Sequence, residues 1–198
     1  MSALRLERLT GPRLAALLPE LAGLRIAVFR DFPYLYDGSP AYEQRYLETY
    51  ASTQDSVIVG AFDGEALVGA ATGLPLAHEP QALTRPFAEQ GIAVEHVFYF
   101  GESVLLHSYR GQGVGVRFFQ EREAHARALG GYRWAAFCGV VRPLDHPRRP
   151  ADFVPLDAFW RRRGYAPVPG LIGTIGWRDL DETEESAKPM QFWLKELA

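Results

Sequence analysis

The chain has 198 residues, 47% apolar and 23% charged, with a net charge of −3. That allows one domain over residues 1–198 with a sizeable core, and it argues against general nucleic-acid binding, which rests on a strongly basic surface. The single cysteine, Cys138, excludes an internal disulfide and a cysteine-based zinc site. No apolar run approaches the roughly 20 residues that cross a bilayer. The opening "MSALRLERLTGPRL" sets Arg and Glu among its leucines, unlike a secretory signal. A cytoplasmic protein with no membrane or nucleic-acid partner is the expectation.

In chain order, "ALRLERL" alternates and predicts a first strand, Leu4 to Leu9. Thr10 is placed to cap a helix with Pro12 in its first turn and a break or kink at Pro19. "RDFPYLYDGSP" reads as a loop rich in aromatic residues, and Ser39 as the cap of a second helix through "PAYEQRYLETYAS". Two β-prone runs flank Asp63-Gly64, a hairpin signal. "EPQALTRPFAEQGI" reads as an irregular helical segment. Val94 to His107 reads as one long strand, with Gly101 marking a bulge or a close backbone approach. A helix from about Val114 to Leu129 follows, with Phe118, Arg122, Ala126 and Leu129 on one stripe and the Arg122 stem along the surface. "GGYRWAAFCGVV" is a buried strand, "RPLDHPRRPADFVP" a long loop and "LDAFWRRRGY" a short helix closed by Gly164. "GLIGTIGW" and "PMQFWLKEL" are late strands that pair, within the chain or between copies. The order is mixed α/β.

The chemistry concentrates in "HSYRGQGVGVRFF", His107 to Phe119. A glycine-rich turn from a strand into a helix is an anion site, because its free N–H groups and the helix dipole both favour negative charge. A Walker A loop would end Gly-Lys-Ser/Thr, whereas this one ends Gly115-Val116-Arg117. A dinucleotide fingerprint needs a third glycine where Val116 or Phe118 stands. What remains is Arg-x-x-Gly-x-Gly, met by Arg110, Gly113 and Gly115.

This loop resembles the pyrophosphate loop of the GNAT superfamily of acyl-CoA-dependent N-acyltransferases. "ESVLLHSYRGQGVGVRFF" is similar to that family's fourth strand, loop and third helix, and "LDAFWRRRGY" to its later helix. Similar elements in the family's order cover most of Val57 to Tyr165. The resemblance implies a mixed, mostly antiparallel sheet of about seven strands flanked by helices, with a splayed fourth and fifth strand pair. It implies acetyl-CoA as co-substrate, with no metal. Arg110, Gly111, Gln112, Gly113, Val114, Gly115 and Val116 would form the loop that holds the pyrophosphate. Ser103, Val104 and Leu105 would take the pantetheine arm as an added strand, and the Leu105 N–H would polarise the thioester carbonyl. The reaction implied is transfer of an acetyl group to a primary amine of a small molecule or peptide by direct attack. Alternatives are a non-catalytic acyl-CoA-binding regulatory module and a protein N-acyltransferase.

Glu102, on the fourth strand, is the candidate base; the other reading is a sheet carboxylate paired with an arginine. The family's tyrosine acid is replaced by Trp160, whose indole is no acid at neutral pH; Tyr165 and His146 are the other candidates. Aromatic faces with carboxylates suit a cationic amine, which points to Tyr34, Tyr36 and Asp37 as acceptor pocket. Tyr42, Tyr46 and Tyr50 read instead as one packed helical stripe. The loop Val141 to Phe153 reads as a solvated loop, as a lid, or as a carrier of Arg142, Arg148 and Arg149 to the CoA 3′-phosphate. The five histidines, at 78, 96, 107, 125 and 146, show no metal spacing. Cys138, in an apolar run, reads as a buried inert thiol. A homodimer is possible through the late strands.

Overall fold

The computed structural model describes residues 4–197. Its elements in order are β1 (Arg5–Arg8), α1 (Gly11–Phe29), α2 (Pro40–Ser52), β2 (Val57–Asp63), β3 (Ala66–Pro75), α3 (Gln81–Glu89), β4 (Val97–Tyr99), β5 (Ser103–Leu105), α4 (Val114–Leu129), β6 (Trp134–Val140), α5 (Asp157–Arg161), β7 (Ala166–Trp177) and β8 (Ser186–Glu196). One sheet runs β1-β2-β3-β4-β6-β8-β7, with β5 paired to β3 beyond β4. Every pairing is antiparallel except β4 with β6.

The sheet has eight strands rather than about seven, because the segment from Val94 to His107 is not one strand. It divides around Gly101 into β4 and β5. Local signals account for much of the rest. Ser39 caps α2, its hydroxyl accepting from the Tyr42 N–H at 3.3 Å, whereas Thr10 makes no such bond at the start of α1. Pro19 does not end α1, which runs on through it to Phe29; the proline lies on the exposed face of the helix. Gly64 takes φ +58° in the β2–β3 turn, as that hairpin requires. The late strands pair within the chain, β7 with β8 and β8 with β6.

Apolar side chains fill both faces of the sheet. Leu21, Leu47, Tyr50, Leu74 and Phe87 lie in a core on the α1, α2 and α3 side. Phe98, Phe118, Phe119 and Trp193 lie in a second core on the α4 side. Covering both faces is why β2 reads as an unbroken apolar run. β4 pairs β6 through Val97–Tyr99, and the Phe100 N–H still reaches the Ala136 carbonyl at 2.7 Å. Beyond that point the chain stays with β3 only. The expected splay is therefore present, and it opens at Phe100.

Candidate active site

The splay is held open by polar groups that bridge its bend. The Gly101 N–H donates to the Thr72 carbonyl at 3.2 Å, and the Thr72 N–H donates to the Glu102 carbonyl at 3.1 Å. Arg122 of α4 reaches the same bend from the other core. Its guanidinium donates to the carbonyls of Thr72 (3.1 Å), Glu102 (2.9 Å) and Phe118 (3.1 Å) and to the Ser103 hydroxyl (2.7 Å). It also lies over the Phe100 ring, 4.2 Å from its centroid. Arg122 is 1% exposed, so the expectation of a stem laid along the surface is corrected: an arginine on a core stripe is here a buried clamp. Burial lowers its pKa to about 10, which leaves it charged at neutral pH. Leu129, expected on that stripe, is exposed.

β5 offers one open edge. The Glu102 carbonyl and the Leu106 N–H bond toward β3, with Val104 opposite Ala70. Backbone groups on an antiparallel strand alternate between its two sides. Those of Ser103 and Leu105 therefore turn toward the side that β6 has left, where no strand of the described residues pairs. The Leu105 carbonyl accepts from Arg110 Nε at 3.2 Å; the Leu105 N–H faces the gap.

The glycine loop continues that edge into α4. Gly111 (φ +77°) and Gly113 (φ +80°) hold left-handed conformations that favour glycine, and a Cβ at either would meet nothing within 4 Å. Gly115 has a different reason: its Cβ would come within 3.3 Å of Phe159 Cζ, so glycine lets α5 pack on the first turn of α4. Among the described residues, the N–H groups of Gly111, Gln112, Gly113, Val114 and Gly115 have no backbone acceptor. Val116, expected in the cradle, is corrected: its N–H turns back to the Gly113 carbonyl at 3.1 Å, tightening the first turn. The remaining donors, at the N-terminus of a 16-residue helix, suit an anionic group.

Glu102 lies on the α1–α2 side of the bend, 8% exposed. Its carboxylate pairs with Arg25 of α1, which also pairs with Glu43 of α2. Tyr46 Oη lies 3.0 Å from the same carboxylate, and Arg25 stacks on the Tyr46 ring, 4.1 Å from its centroid. Burial works against the Arg25 charge, but Glu102, Tyr46 and Glu43 outweigh it and raise its pKa. Of the two readings of Glu102, the arginine-paired carboxylate is thus present.

The three expected acceptor residues separate. Tyr34 turns inward, its ring 4.7 Å from Phe29 and 5.9 Å from Trp177. Burial raises its hydroxyl pKa, and nearby Cys138 and Glu102 raise it further. Tyr36 and Asp37 turn outward and line an open cleft of about 330 Å³ with Tyr42, Trp177, Arg178 and Glu184. Asp37 pairs with Arg178. The Tyr36 hydroxyl donates to Glu43 at 2.6 Å and so ties the cleft to the buried pair.

Other sequence readings are revised. Tyr42 is 45% exposed, so the three-tyrosine stripe reduces to Tyr46 and Tyr50, whose rings lie 5.0 Å apart; Glu43, Leu47 and Tyr50 form the buried face of α2. Arg142 does not serve a phosphate. It clamps the loop to the body, bidentate to Asp179 (2.7 and 2.9 Å) and donating to the Pro33 and Tyr34 carbonyls. Trp160 packs on Phe137 and Trp193, each 5.0 Å away. The Tyr165 hydroxyl, a candidate acid, is buried and donates to Glu123 at 3.0 Å. His146 packs on Phe32 in the long loop. Cys138 sits 3.1 Å from the Tyr99 hydroxyl, and burial pushes its thiol up to about 12, as suits an inert residue. Among the described residues no group of three His, Cys, Asp or Glu side chains is placed to hold a metal, and no helix is long and apolar enough to cross a membrane.

A sheet that opens between parallel neighbours, with a free strand edge in the gap and an N–H cradle at its end, suits an extended ligand carrying an anionic group. Comparison with known proteins supplies the family. Residues 23–150 match the model of the Acetyltransferase (GNAT) family, and the chain belongs to that family: it is an acyltransferase, and acetyl transfer is its reaction in general terms. By sequence, no curated protein matches it. Its fold is similar to that of a GNAT-family protein from Desulfovibrio desulfuricans (14% identity, TM-score 0.58, covering 99% of this chain and 100% of that one). It is similar also to the ribosomal-protein-alanine N-acetyltransferase of Brucella melitensis (16%, 0.62, 98% and 99%). A third likeness is to yncA of Salmonella typhimurium, solved with its cofactor acetyl-CoA (8%, 0.62, 100% and 95%). At these identities the likeness concerns the fold.

Proposed function

We propose that the enzyme transfers an acetyl group from acetyl-CoA to a primary amine of a small molecule or peptide by direct attack. The observation that carries this reading is the continuity of the unpaired edge of β5 with the cradle at Gly111–Gly115. Acetyl-CoA lies along that path in this reading. Its pyrophosphate meets the loop N–H groups, with Arg110 at the rim. Its pantetheine arm adds to Ser103, Val104 and Leu105. The Leu105 N–H donates to the thioester carbonyl oxygen and stabilises the charge that grows there on attack. The amine nitrogen forms the new C–N bond, the C–S bond breaks, and the thiolate takes the second proton that the nitrogen releases. The first proton, that of the ammonium, needs a base, and in this reading Glu102 takes it. The acceptor enters, in the same reading, along the cleft lined by Tyr36 and Asp37, whose aromatic face and carboxylate suit a cation, while Tyr34 supports that wall from inside. A cytoplasmic site of action belongs to the same reading.

Calorimetry with acetyl-CoA and thiol release across a panel of primary amines test this. Binding with sustained thiol release is the expected result. Absence of binding at millimolar acetyl-CoA would sink it. Trp160, which puts an indole in an aromatic stack where the family carries a phenol, favours a second reading as a regulatory acyl-CoA-binding module. Binding with no release for any amine or peptide would select it. Release with peptides alone would select a protein acceptor.

A further inference from the structure

Four oxygens form a chain beneath the splay. Tyr46 Oη lies 3.0 Å from Glu102 Oε2, Tyr46 Oη lies 3.0 Å from Tyr50 Oη, and Tyr50 Oη lies 2.7 Å from Glu79 Oε1. There are three contacts, and two phenolic protons to fill them. With both carboxylates ionised, Tyr46 donates to Glu102, Tyr50 donates to Glu79, and the two phenol oxygens face each other with no proton between them. A Tyr46 that donates to Tyr50 instead strips Glu102 of that bond. Buried polar contacts left empty in this way are costly. One added proton satisfies all three contacts at once.

We infer that Glu102, Tyr46, Tyr50 and Glu79 form a proton-accepting chain that takes the ammonium proton of the acceptor and delivers it to Glu79. This rests on the amine-acetylation reading above. The proton enters at Glu102, one residue before the open edge of β5. Glu102 then donates to Tyr46, Tyr46 to Tyr50 and Tyr50 to Glu79. A concerted shift of those three protons returns Glu102 to a carboxylate and leaves the added proton on Glu79, from which it passes to water. No bond between heavy atoms changes in the chain, and charge balances at each end.

The two ends differ in a way that sets the direction. A proton left on Glu102 weakens its ion pair with Arg25, whereas Glu79 has no basic partner among the described residues. Burial raises the Glu79 pKa; the Tyr50 hydrogen bond lowers it, and the Glu102 charge adds a smaller rise. Glu79 is also the part-exposed end, between the Leu76–His78 turn and α3. The Glu79 charge is felt by Tyr42, Tyr46 and Tyr50 of α2, Tyr99 of β4 and Cys138 of β6, and Glu79 in turn feels the charge of Glu102; His78, beside it in sequence, is exposed.

Two measurements test the chain. In the first, side-chain carboxyl carbons are followed by NMR through a pH titration of the whole protein, with Glu79→Gln to assign the signal. The Glu79 signal is expected to titrate above the ordinary glutamate value of about 4.3, and to rise further in Tyr50→Phe, which removes the hydrogen bond that lowers it. A Glu79 that titrates at the ordinary value overturns the chain whether or not the enzyme turns over. The second is kinetic. Glu79→Gln keeps the side-chain shape and mimics the protonated end, and Tyr50→Phe keeps the ring. Both are expected to lower kcat about 100-fold, with KM for acetyl-CoA unchanged and the acid limb of the kcat–pH profile moved; Glu79→Asp restores part of the rate. A Glu79→Gln enzyme with wild-type kcat and an unmoved acid limb overturns the chain, and leaves the amine reading standing. A wild-type enzyme that acetylates no amine overturns that reading, and with it the delivery of an amine proton, while the titration still decides whether Glu79 holds one.

Discussion

Substituting Gly101 by alanine isolates the point at which the bend and the chain of hydroxyls touch. An added Cβ would stand 2.8 Å from Thr72 Oγ1 and 2.8 Å from Tyr50 Cζ, and closer still to Tyr50 Oη. The backbone is not left-handed at this residue, so the cost is steric. Tyr50 is 1% exposed and Thr72 is fully buried, so neither gives way freely. Overpacking of this kind costs about 1–3 kcal/mol. Displacing the Tyr50 hydroxyl also forfeits its bond to Glu79, and a hydrogen bond to a charged partner contributes about 1.5–3 kcal/mol. The sum, about 2.5–6 kcal/mol, is a large share of an ordinary stability of about 5–15 kcal/mol. It corresponds to a fall in Tm of about 5–24 °C for a chain of this size. Denaturant unfolding of Gly101→Ala, Tyr50→Leu and the double variant measures it. In the Tyr50→Leu background the added methyl should cost less than half as much, because the Tyr50 atoms it strikes are gone and only the contact with Thr72 Oγ1 remains. A Gly101→Ala variant within about 0.5 kcal/mol of wild type, or equal costs in the two backgrounds, would refute the reasoning.

Three further outcomes follow from the same geometry. Gly113→Asp and Gly115→Asp should each abolish acetyl-CoA binding in calorimetry, by placing a carboxylate in the cradle; the second also drives a side chain into Phe159, and full affinity in both variants would remove the loop from the site. Arg122→Met keeps the stem but leaves the Thr72 and Glu102 carbonyls without that donor, and should cost about 2–4 kcal/mol in urea unfolding, with Arg122→Lys intermediate. The Glu182 carboxyl is held down to about 2 by the Asp179 N–H, then by Lys188 and Ser186. A carboxyl with a depressed folded pKa adds stability above its unfolded value of about 4.3, lost as pH falls through the folded one. Glu182→Gln should therefore melt below wild type at neutral pH, with the gap closing as pH falls toward about 2.

The parts of the site that depend on backbone conformation were legible in the sequence, and the parts that depend on side chains meeting across elements were not. Gly111 and Gly113 announce a left-handed turn wherever they occur, and Val114 to Leu129 carries its own helical signal. Gly101 announced a close approach without saying to what; the partner is Tyr50, some fifty residues earlier. Arg25 and Glu43 gave a fainter signal. Each falls on the buried stripe of its helix, Arg25 with Leu14, Leu21, Ala22 and Leu24, Glu43 with Leu47 and Tyr50. A charge on an apolar stripe asks for a buried partner, but the packing of α1 on α2 and on the sheet decides which. Arg122 asks the same question, and its answer is carbonyls rather than a carboxylate. Reading Tyr42, Tyr46 and Tyr50 as one stripe set the α2 face about one residue off, since Glu43 rather than Tyr42 is buried.

The bend at Gly101–Glu102 explains why polar groups are concentrated in the middle of a sheet with apolar side chains on both faces. A strand that leaves its neighbour exposes backbone groups, and buried backbone groups must find partners. Thr72 and Arg122 satisfy those on the α4 side of the bend, and because Arg122 binds carbonyls it does so without adding a carboxylate to that core. On the other side Glu102 is held by Arg25 and Tyr46, and Gly101 makes room for the Tyr50 hydroxyl. The two sides share Thr72, whose hydroxyl accepts from the Glu102 N–H at 3.3 Å while its carbonyl accepts from Arg122. Loosening Arg122 therefore shifts the backbone that carries Glu102. If the bend sets the position of Glu102, Arg122→Lys should slow turnover more than its loss of stability alone accounts for, at temperatures where both proteins are fully folded. Equal kcat in the two folded enzymes would mean that the clamp holds the sheet and not the site.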